Sequence, residues 1–311
     1  MRDCAVTGSK TQISRYIYAG QGGALSVAPL RILLDRGIRP AAVLVPHKPA
    51  YTTRVRTLNL LPVQPPRLLS NLANLAIEAG LPLITWEKGA EGDLKHKLAE
   101  FDAELVIVSC FPWRVPAELL NVPLHGWWNL HPSLLPAYRG PSPLFWQARD
   151  GIAHTGITLH RMEEAFDEGP IIAQAETVMN GDMTIRQLEQ LMGQMGGDML
   201  ERALTGLASN SLQFCRQDTR NASYEGKPTM DDRHLRTSGK ASAAHVFVSL
   251  VYDSYPLWME LDGRRFAITK PVSADDTARL ETAWCYADNQ LQVCFEKGVL
   301  TVQAEELNGH S

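Results

Sequence analysis

Three residues in the middle of the chain have side chains suited to acyl transfer: Asn129, His131 and Asp167. Asn129 and His131 are two positions apart, and in extended chain alternate side chains point to the same face. An amide and an imidazole can each donate a hydrogen bond to a developing oxyanion. A carboxylate can orient the imidazole or help remove the proton of an attacking amine. When the amine itself attacks, the protein needs no Ser, Cys or Lys nucleophile. Each residue also has a plainer reading. Asn129 can bond turn backbone, His131 can be a satisfied loop histidine, and Asp167, ahead of Glu168-Gly169, can shape a turn. Spacing alone does not choose between these readings.

The elements that must position the trio are legible as an alternation of apolar runs. A strand at 15–19, a tight turn at Gly20 to Gly23, an amphipathic helix at 25–36 and a strand at 41–45 open a βαβ pattern. A helix near 69–79, a strand near 81–85, a helix near 94–101 and a buried-looking strand at 104–109 continue it. The implied fold class is α/β: a Rossmann-like, mostly parallel sheet with helices on both faces, with ligands bound at the carboxyl ends of its strands. A strand at 127–130 leads into a stiff, proline-rich loop at 131–143. Strands at 155–160 and 171–178 and a helix at 184–204, whose Met and Leu stripe reads as core, follow.

The polar stretch 208–229 reads as a linker, which places a catalytic domain at 1–207, behind a polar leader at 1–14, and a C-terminal β domain at 230–311. In that second part a helix is expected at 242–252. Runs at 257–261 and 264–269 flank Asp262-Gly263, a strong hairpin signal because a type I′ turn needs positive φ at both central residues. Further strands near 291–295 and 299–304 suggest a small, barrel-like domain of the OB kind.

Composition narrows the class. The 311 residues suit about two domains, with 45% hydrophobic and 21% charged residues, a globular mix. A net charge of −4 advertises no polyanionic partner. No apolar run of about 18 residues occurs, and 1–10 lacks the apolar stretch of a secretory signal, so a cytoplasmic protein with no membrane partner is expected. The five cysteines are scattered and never form C-x-x-C, which suggests neither a metal site nor a disulfide framework. The glycine turn fails as a dinucleotide fingerprint because Leu25 stands where G-x-G-x-x-G needs its third glycine, which disfavours a nicotinamide cofactor. Phosphate-loop, metalloprotease and serine-hydrolase motifs are absent.

The runs N-L-H-P-S-L-L-P-A-Y-R-G at 129–140, T-G-I-T-L-H-R-M at 155–162 and D-E-G-P-I-I-A-Q at 167–174 resemble the signature of formyltransferases that use 10-formyltetrahydrofolate. The resemblance implies that Asn129, His131 and Asp167 are catalytic, that 10-formyltetrahydrofolate is the formyl donor, and that no metal takes part. It also implies a donor site at the loop after the fourth strand, with Phe111, Pro112, Trp113 and Val115 as candidate walls beside Phe166 and Gly169. A plain reading of Phe111 and Trp113 is that they pack the strand end. Ser133, Arg139 and Gly140 are expected to shape their loop rather than to do chemistry. A retained fold that binds folate without turnover is the non-enzymatic alternative.

Within this family the two-domain layout resembles enzymes acting on methionyl-tRNA. Those usually carry a basic loop after the second strand, where this chain has only Lys48, Arg54 and Arg56. From residue 208 onward 11 lysines and arginines face 14 aspartates and glutamates, a net −3, whereas phosphate contacts dominate RNA affinity. The T-L-H-R-M stretch and Gly140-Pro141-Ser142-Pro143 look more like the branch acting on amino sugars of nucleotide sugars. A small-molecule amine acceptor is therefore expected, with tRNA as the alternative. The leader at 1–14 is longer than the family normally shows.

Overall fold

The computed structural model describes residues 15–47 and 71–307. The leader at 1–14, the residues Lys48, Arg54 and Arg56, and the first two positions of the helix expected from 69 lie outside the described residues. The first half of the chain alternates β1 (Tyr16–Gly20), α1 (Ala24–Asp35), β2 (Ala42–Pro46), α2 (Asn71–Glu78), β3 (Leu83–Trp86), α3 (Glu91–Glu100), β4 (Leu105–Ser109), α4 (Ala117–Leu120) and β5 (Trp127–His131). Then come α5 (Pro143–Arg149), β6 (His154–Arg161), β7 (Ile171–Val178) and α6 (Ile185–Ala208). The strands form one sheet in the order β3-β2-β1-β4-β5-β6-β7. Pairing is parallel from β3 to β5 and antiparallel between β5 and β6. Strands β1, β2 and β4 are buried along their whole length, as the continuous apolar runs of central parallel strands require.

The strand order reverses at β1, and there the glycine turn acquires a packing role. A Cβ on Gly20 would lie 2.7 Å from the Ser109 carbonyl oxygen and 2.8 Å from Ser26 Oγ. Ser26 Oγ donates to the Ser109 carbonyl at 2.6 Å, and Ser109 Oγ donates to the Leu25 carbonyl at 2.5 Å. The turn thus lets the start of α1 press against the end of β4. The Tyr18 hydroxyl donates to the Ser26 carbonyl beside them, and burial pushes its phenol well above the usual range.

Two compact units make up the chain, each assembled from separated segments. One comprises Met1–His131, Thr158–Ala175 and Gly193–Gln217; the other comprises Pro132–Ile157, Glu176–Met192 and Asp218–Ser311. The first holds a core of buried residues such as Ile17, Leu44, Trp86, Val106, Val108 and Trp127, and the indole N–H of Trp127 is satisfied by the Leu119 carbonyl at 2.7 Å. On its other side α6 lies close against α1. A Cβ on Gly193 would come within 2.9 Å of Ala28 Cβ, and one on Gly197 within 2.8 Å of Ile32.

The second unit carries α7 (Ala241–Val251), β8 (Leu257–Leu261), β9 (Arg264–Asp275), β10 (Trp284–Ala287), β11 (Gln290–Cys294) and β12 (Val299–Leu307). These five strands form an antiparallel sheet in the order β10-β11-β12-β9-β8. The Asp262-Gly263 hairpin has positive φ at both residues, 49° and 80°. Strand β9 runs past the expected end at 269 because Pro271 sits at a register shift opposite Val302, where a missing N–H does not break the ladder. Strand β10 and the short helices α4 and α5 go beyond what the apolar pattern predicts. In α5 a proline at the first helical position, Pro143, ends the stiff loop by starting a helix.

Gly197→Val is expected to destabilise the fold by about 1–3 kcal/mol, because the added methyl groups overpack against Ile32 in a contact with no space to give. Chemical denaturation of the purified variant, read as a lower midpoint at unchanged slope, checks this.

Candidate active site

Strand β5 ends in Asn129-Leu130-His131, and its antiparallel partner β6 sets Asn129 opposite His160, Leu130 opposite Leu159 and His131 opposite Thr158. The register brings a second histidine beside the amide. His160 is 1% exposed and its Nδ1 lies 3.0 Å from the Arg161 carbonyl oxygen. A carbonyl only accepts, so Nδ1 carries a proton, and in the tautomer with that proton alone Nε2 is an acceptor. Asn129 Nδ2 lies 3.2 Å from that Nε2 and donates to it. Its amide also points at Asp167 Oδ1, 3.5 Å away.

Asp167 closes the cluster. Its Oδ2 stands 3.6 Å from His131 Nδ1, and its Oδ1 stands 3.5 Å from His160 Nε2. The His131 residue is 4% exposed and the Asp167 side chain 11%. A carboxylate so nearly out of water must be met by donors; Asn129 Nδ2 and His131 Nδ1 face it at 3.5 and 3.6 Å. Asp167 faces His131 Nδ1 and so favours a proton on that nitrogen. The structure therefore brings together Asn129, His131 and Asp167, and adds His160. That histidine lies in plain view in T-L-H-R-M, but nothing in the spacing pairs it with Asn129 before the antiparallel register is known.

The loop carrying Asp167 is held in an uncommon shape. Asp167 has φ 55°, a left-handed conformation that side-chain-bearing residues seldom adopt. Two residues on, a Cβ at Gly169 would collide with the Arg161 carbonyl oxygen. Gln217 Nε2 donates to the carbonyls of both Asp167 and Gly169, each at 2.7 Å. On the far side of the loop, Arg114 Nη2 donates to the Glu164 carbonyl at 2.6 Å and its guanidinium lies 5.5 Å from the Phe166 ring centre.

The candidate donor walls fall into different settings. Phe111 and Trp113 are half-buried and form a three-ring cluster with buried Trp86: Phe111 stacks on Trp86 at 5.5 Å, and Trp113 meets both rings edge-on. The indole Nε1 of Trp86 is buried with no hydrogen-bond partner. Val115 is 2% exposed within the core, Pro112 is exposed, and Phe166 is 49% exposed. In the other compact unit, Ser133 Oγ donates to the Ala137 carbonyl at 2.7 Å. There the Arg139 backbone pairs with Ser223 and Glu225. Gly140, at φ 111°, packs so closely on the Glu225 carbonyl oxygen that a Cβ would not fit. Among the described residues no His, Cys, Asp and Glu cluster could hold a metal, and no helix is long and apolar enough to cross a membrane.

A doubly wound sheet with an amide, an imidazole and a carboxylate gathered at the carboxyl end of one strand suits a group-transfer enzyme. The sequence pattern of the family described as formyl transferase matches residues 43–204, just over half of the chain. A methionyl-tRNA formyltransferase of Acidothermus cellulolyticus is 31% identical over 255 residues, covering 82% of this chain and 75% of the relative. One of Thermodesulfovibrio yellowstonii is 30% identical over 281 residues, covering 89% and 86%. Among solved structures, an N-formyltransferase from Helicobacter canadensis, in complex with folinic acid and dTDP-3-aminofucose, superposes with a TM-score of 0.68 at 16% identity over 95% of this chain and all of that one. A methionyl-tRNA formyltransferase from Clostridium thermocellum superposes with a TM-score of 0.60 at 12% identity over 96% and 100%. At such identities the superpositions establish the fold. The chain belongs to the formyl transferase family and is a formyltransferase.

Gly169→Ala is expected to push the Asp167 loop off the Arg161 carbonyl. A shift of about 1 Å at a catalytic constellation costs on the order of 100-fold in turnover. Steady-state formyl transfer by the variant, with its circular dichroism unchanged, checks this.

Proposed function

We propose that the chain transfers the formyl group of 10-formyltetrahydrofolate to the primary amine of a small molecule, such as an amino-sugar nucleotide. The observation that carries the chemistry is the cluster itself, in which the Asp167 carboxylate lies within 3.6 Å of His131 Nδ1 and 3.5 Å of Asn129 Nδ2. The donor supplies an activated formyl group; the protein supplies charge stabilisation and proton management. Asn129, through the amide hydrogen that is only loosely engaged by Asp167, and His131 donate to the oxygen that gains charge as the amine attacks. Asp167, facing Nδ1, stabilises the doubly protonated ring, whose Nε2–H makes that donation; as the bond from the formyl carbon to N10 breaks, the proton lost by the amine ends on N10 of the leaving tetrahydrofolate.

The half-buried faces of Phe111 and Trp113, with Phe166, offer apolar surface to a planar ring system. These residues fit a fused heteroaromatic donor, and two of the structural neighbours are described with folate derivatives, folinic acid and tetrahydrofolic acid.

The acceptor reading rests on charge. On the C-terminal sheet Arg264 is gripped by Glu306 through two bonds of 2.7 Å, and Arg265 by Glu260 at 2.8 Å. Arginines paired in this way offer little to a phosphate backbone, and counterion release is the main source of RNA affinity. A second reading, methionyl-tRNA as acceptor, is favoured by the names of the sequence relatives.

The deciding assay is formyl transfer from 10-formyltetrahydrofolate to amino-sugar nucleotides, to amino acids and to methionyl-tRNA in parallel. A formylated small amine with silent methionyl-tRNA supports the proposal; rapid formylation of methionyl-tRNA overturns it in favour of the second reading. In the active arm, His131→Ala and Asn129→Ala are each expected to lower kcat by about 100- to 1,000-fold, the usual cost of an oxyanion donor.

A further inference from the structure

We propose that Gln217 is a positioning residue for the transfer reaction, acting through Asp167; this rests on the role of Asp167 proposed for formyl transfer. Gln217 lies in the polar stretch after α6, 50 residues from Asp167 in sequence. Its side-chain amide makes the two bonds of 2.7 Å that hold the Asp167 loop, one to the carbonyl of Asp167 and one to that of Gly169. A primary amide has two N–H groups about 120° apart, so a single side chain can hold two carbonyls that diverge around a turn.

What that grip fixes is the direction of a carboxylate. Asp167 sits at φ 55°, in the left-handed region that aspartate tolerates better than most side chains, so the direction of its carboxylate depends on what holds the loop around it. The next fixed point, Gly169, is jammed against the Arg161 carbonyl. Between these constraints the Asp167 side chain reaches Asn129, His131 and His160 at 3.5–3.6 Å, distances at which a small rotation of the loop ends every contact. The brace is itself anchored. Cys215, two residues before Gln217, exchanges backbone hydrogen bonds with Ile171 at 2.7 and 2.8 Å, and Phe214 lies edge-on to the buried ring of Trp128 at 6.5 Å. The amide is therefore delivered from a segment fastened to the same sheet that carries the site.

The segment around Gln217 is largely exposed, so substitution there opens no core. Gln217→Ala removes the brace. Gln217→Glu keeps its shape but turns acceptor oxygens toward two carbonyls. Both variants are expected to lose about 10- to 100-fold in kcat, the scale of a misplaced catalytic group, with the KM for 10-formyltetrahydrofolate within about 3-fold of the parent protein. The discriminating readout is a double-mutant cycle with Asp167→Asn: once the carboxylate is gone, Gln217→Ala should have no further effect on kcat. Equal losses in the two backgrounds would show a general structural effect and overturn the proposal, as would a parental kcat in both single variants while Asp167→Asn is inactive. A fully active Asp167→Asn would instead remove the role of Asp167 on which the proposal stands.

Discussion

A carboxylate almost withdrawn from water is the point around which this site is organised. Asp167 must be met by hydrogen-bond donors, because an uncompensated buried charge costs several kcal/mol. The donors are also the groups that would serve the reaction. The same groups thus answer to two demands, one from the buried carboxylate and one from the reaction proposed for them. His160 fits this logic from the other side. With its Nδ1 proton committed to the Arg161 carbonyl, it accepts from Asn129 and so orients that amide without competing for the carboxylate as a donor.

The sheet supplies the geometry. Parallel strands bring β4 and β5 to a common carboxyl end, and the switch to antiparallel pairing at β6 places His160 directly across from Asn129. A parallel neighbour would have to return from the opposite end of the sheet by a long crossover. The antiparallel strand instead carries His160 past the site and leads within a few residues into the loop that bears Asp167. Three consecutive sequence motifs thereby converge through short connections, which is why they read so clearly as a signature.

Much of this was legible in the chain because it depends on local pattern. The alternation of apolar runs marked the parallel strands, Asp262-Gly263 marked its hairpin, and the two-residue spacing of Asn129 and His131 marked a shared face. What escaped was set by pairing between distant segments. The continuation of β9 through Pro271 depends on a register shift in β12, and the role of the glycine turn at 20–23 depends on Ser109, more than 80 residues away. The sharpest case is the stretch at 208–229. Its composition is that of a linker, yet Phe214, Cys215 and Gln217 each bond or pack against the sheet or its loops. Polar composition reports exposure to water, and a half-exposed residue can still hold two backbone carbonyls.

The backbone bond between Cys215 and Ile171 and the grip of Gln217 on the Asp167 loop also bear on how the protein comes into being. A chain leaving the ribosome presents Asn129, His131 and Asp167 well before residue 217 has emerged. The long helix α6, docked on α1 through Gly193 and Gly197, must form and return the chain to the sheet before the brace can close. During vectorial synthesis every residue of the candidate cluster is thus present before the segment that braces it. A nascent chain halted within α6 would hold every residue of the cluster and still lack the contact that draws them into line.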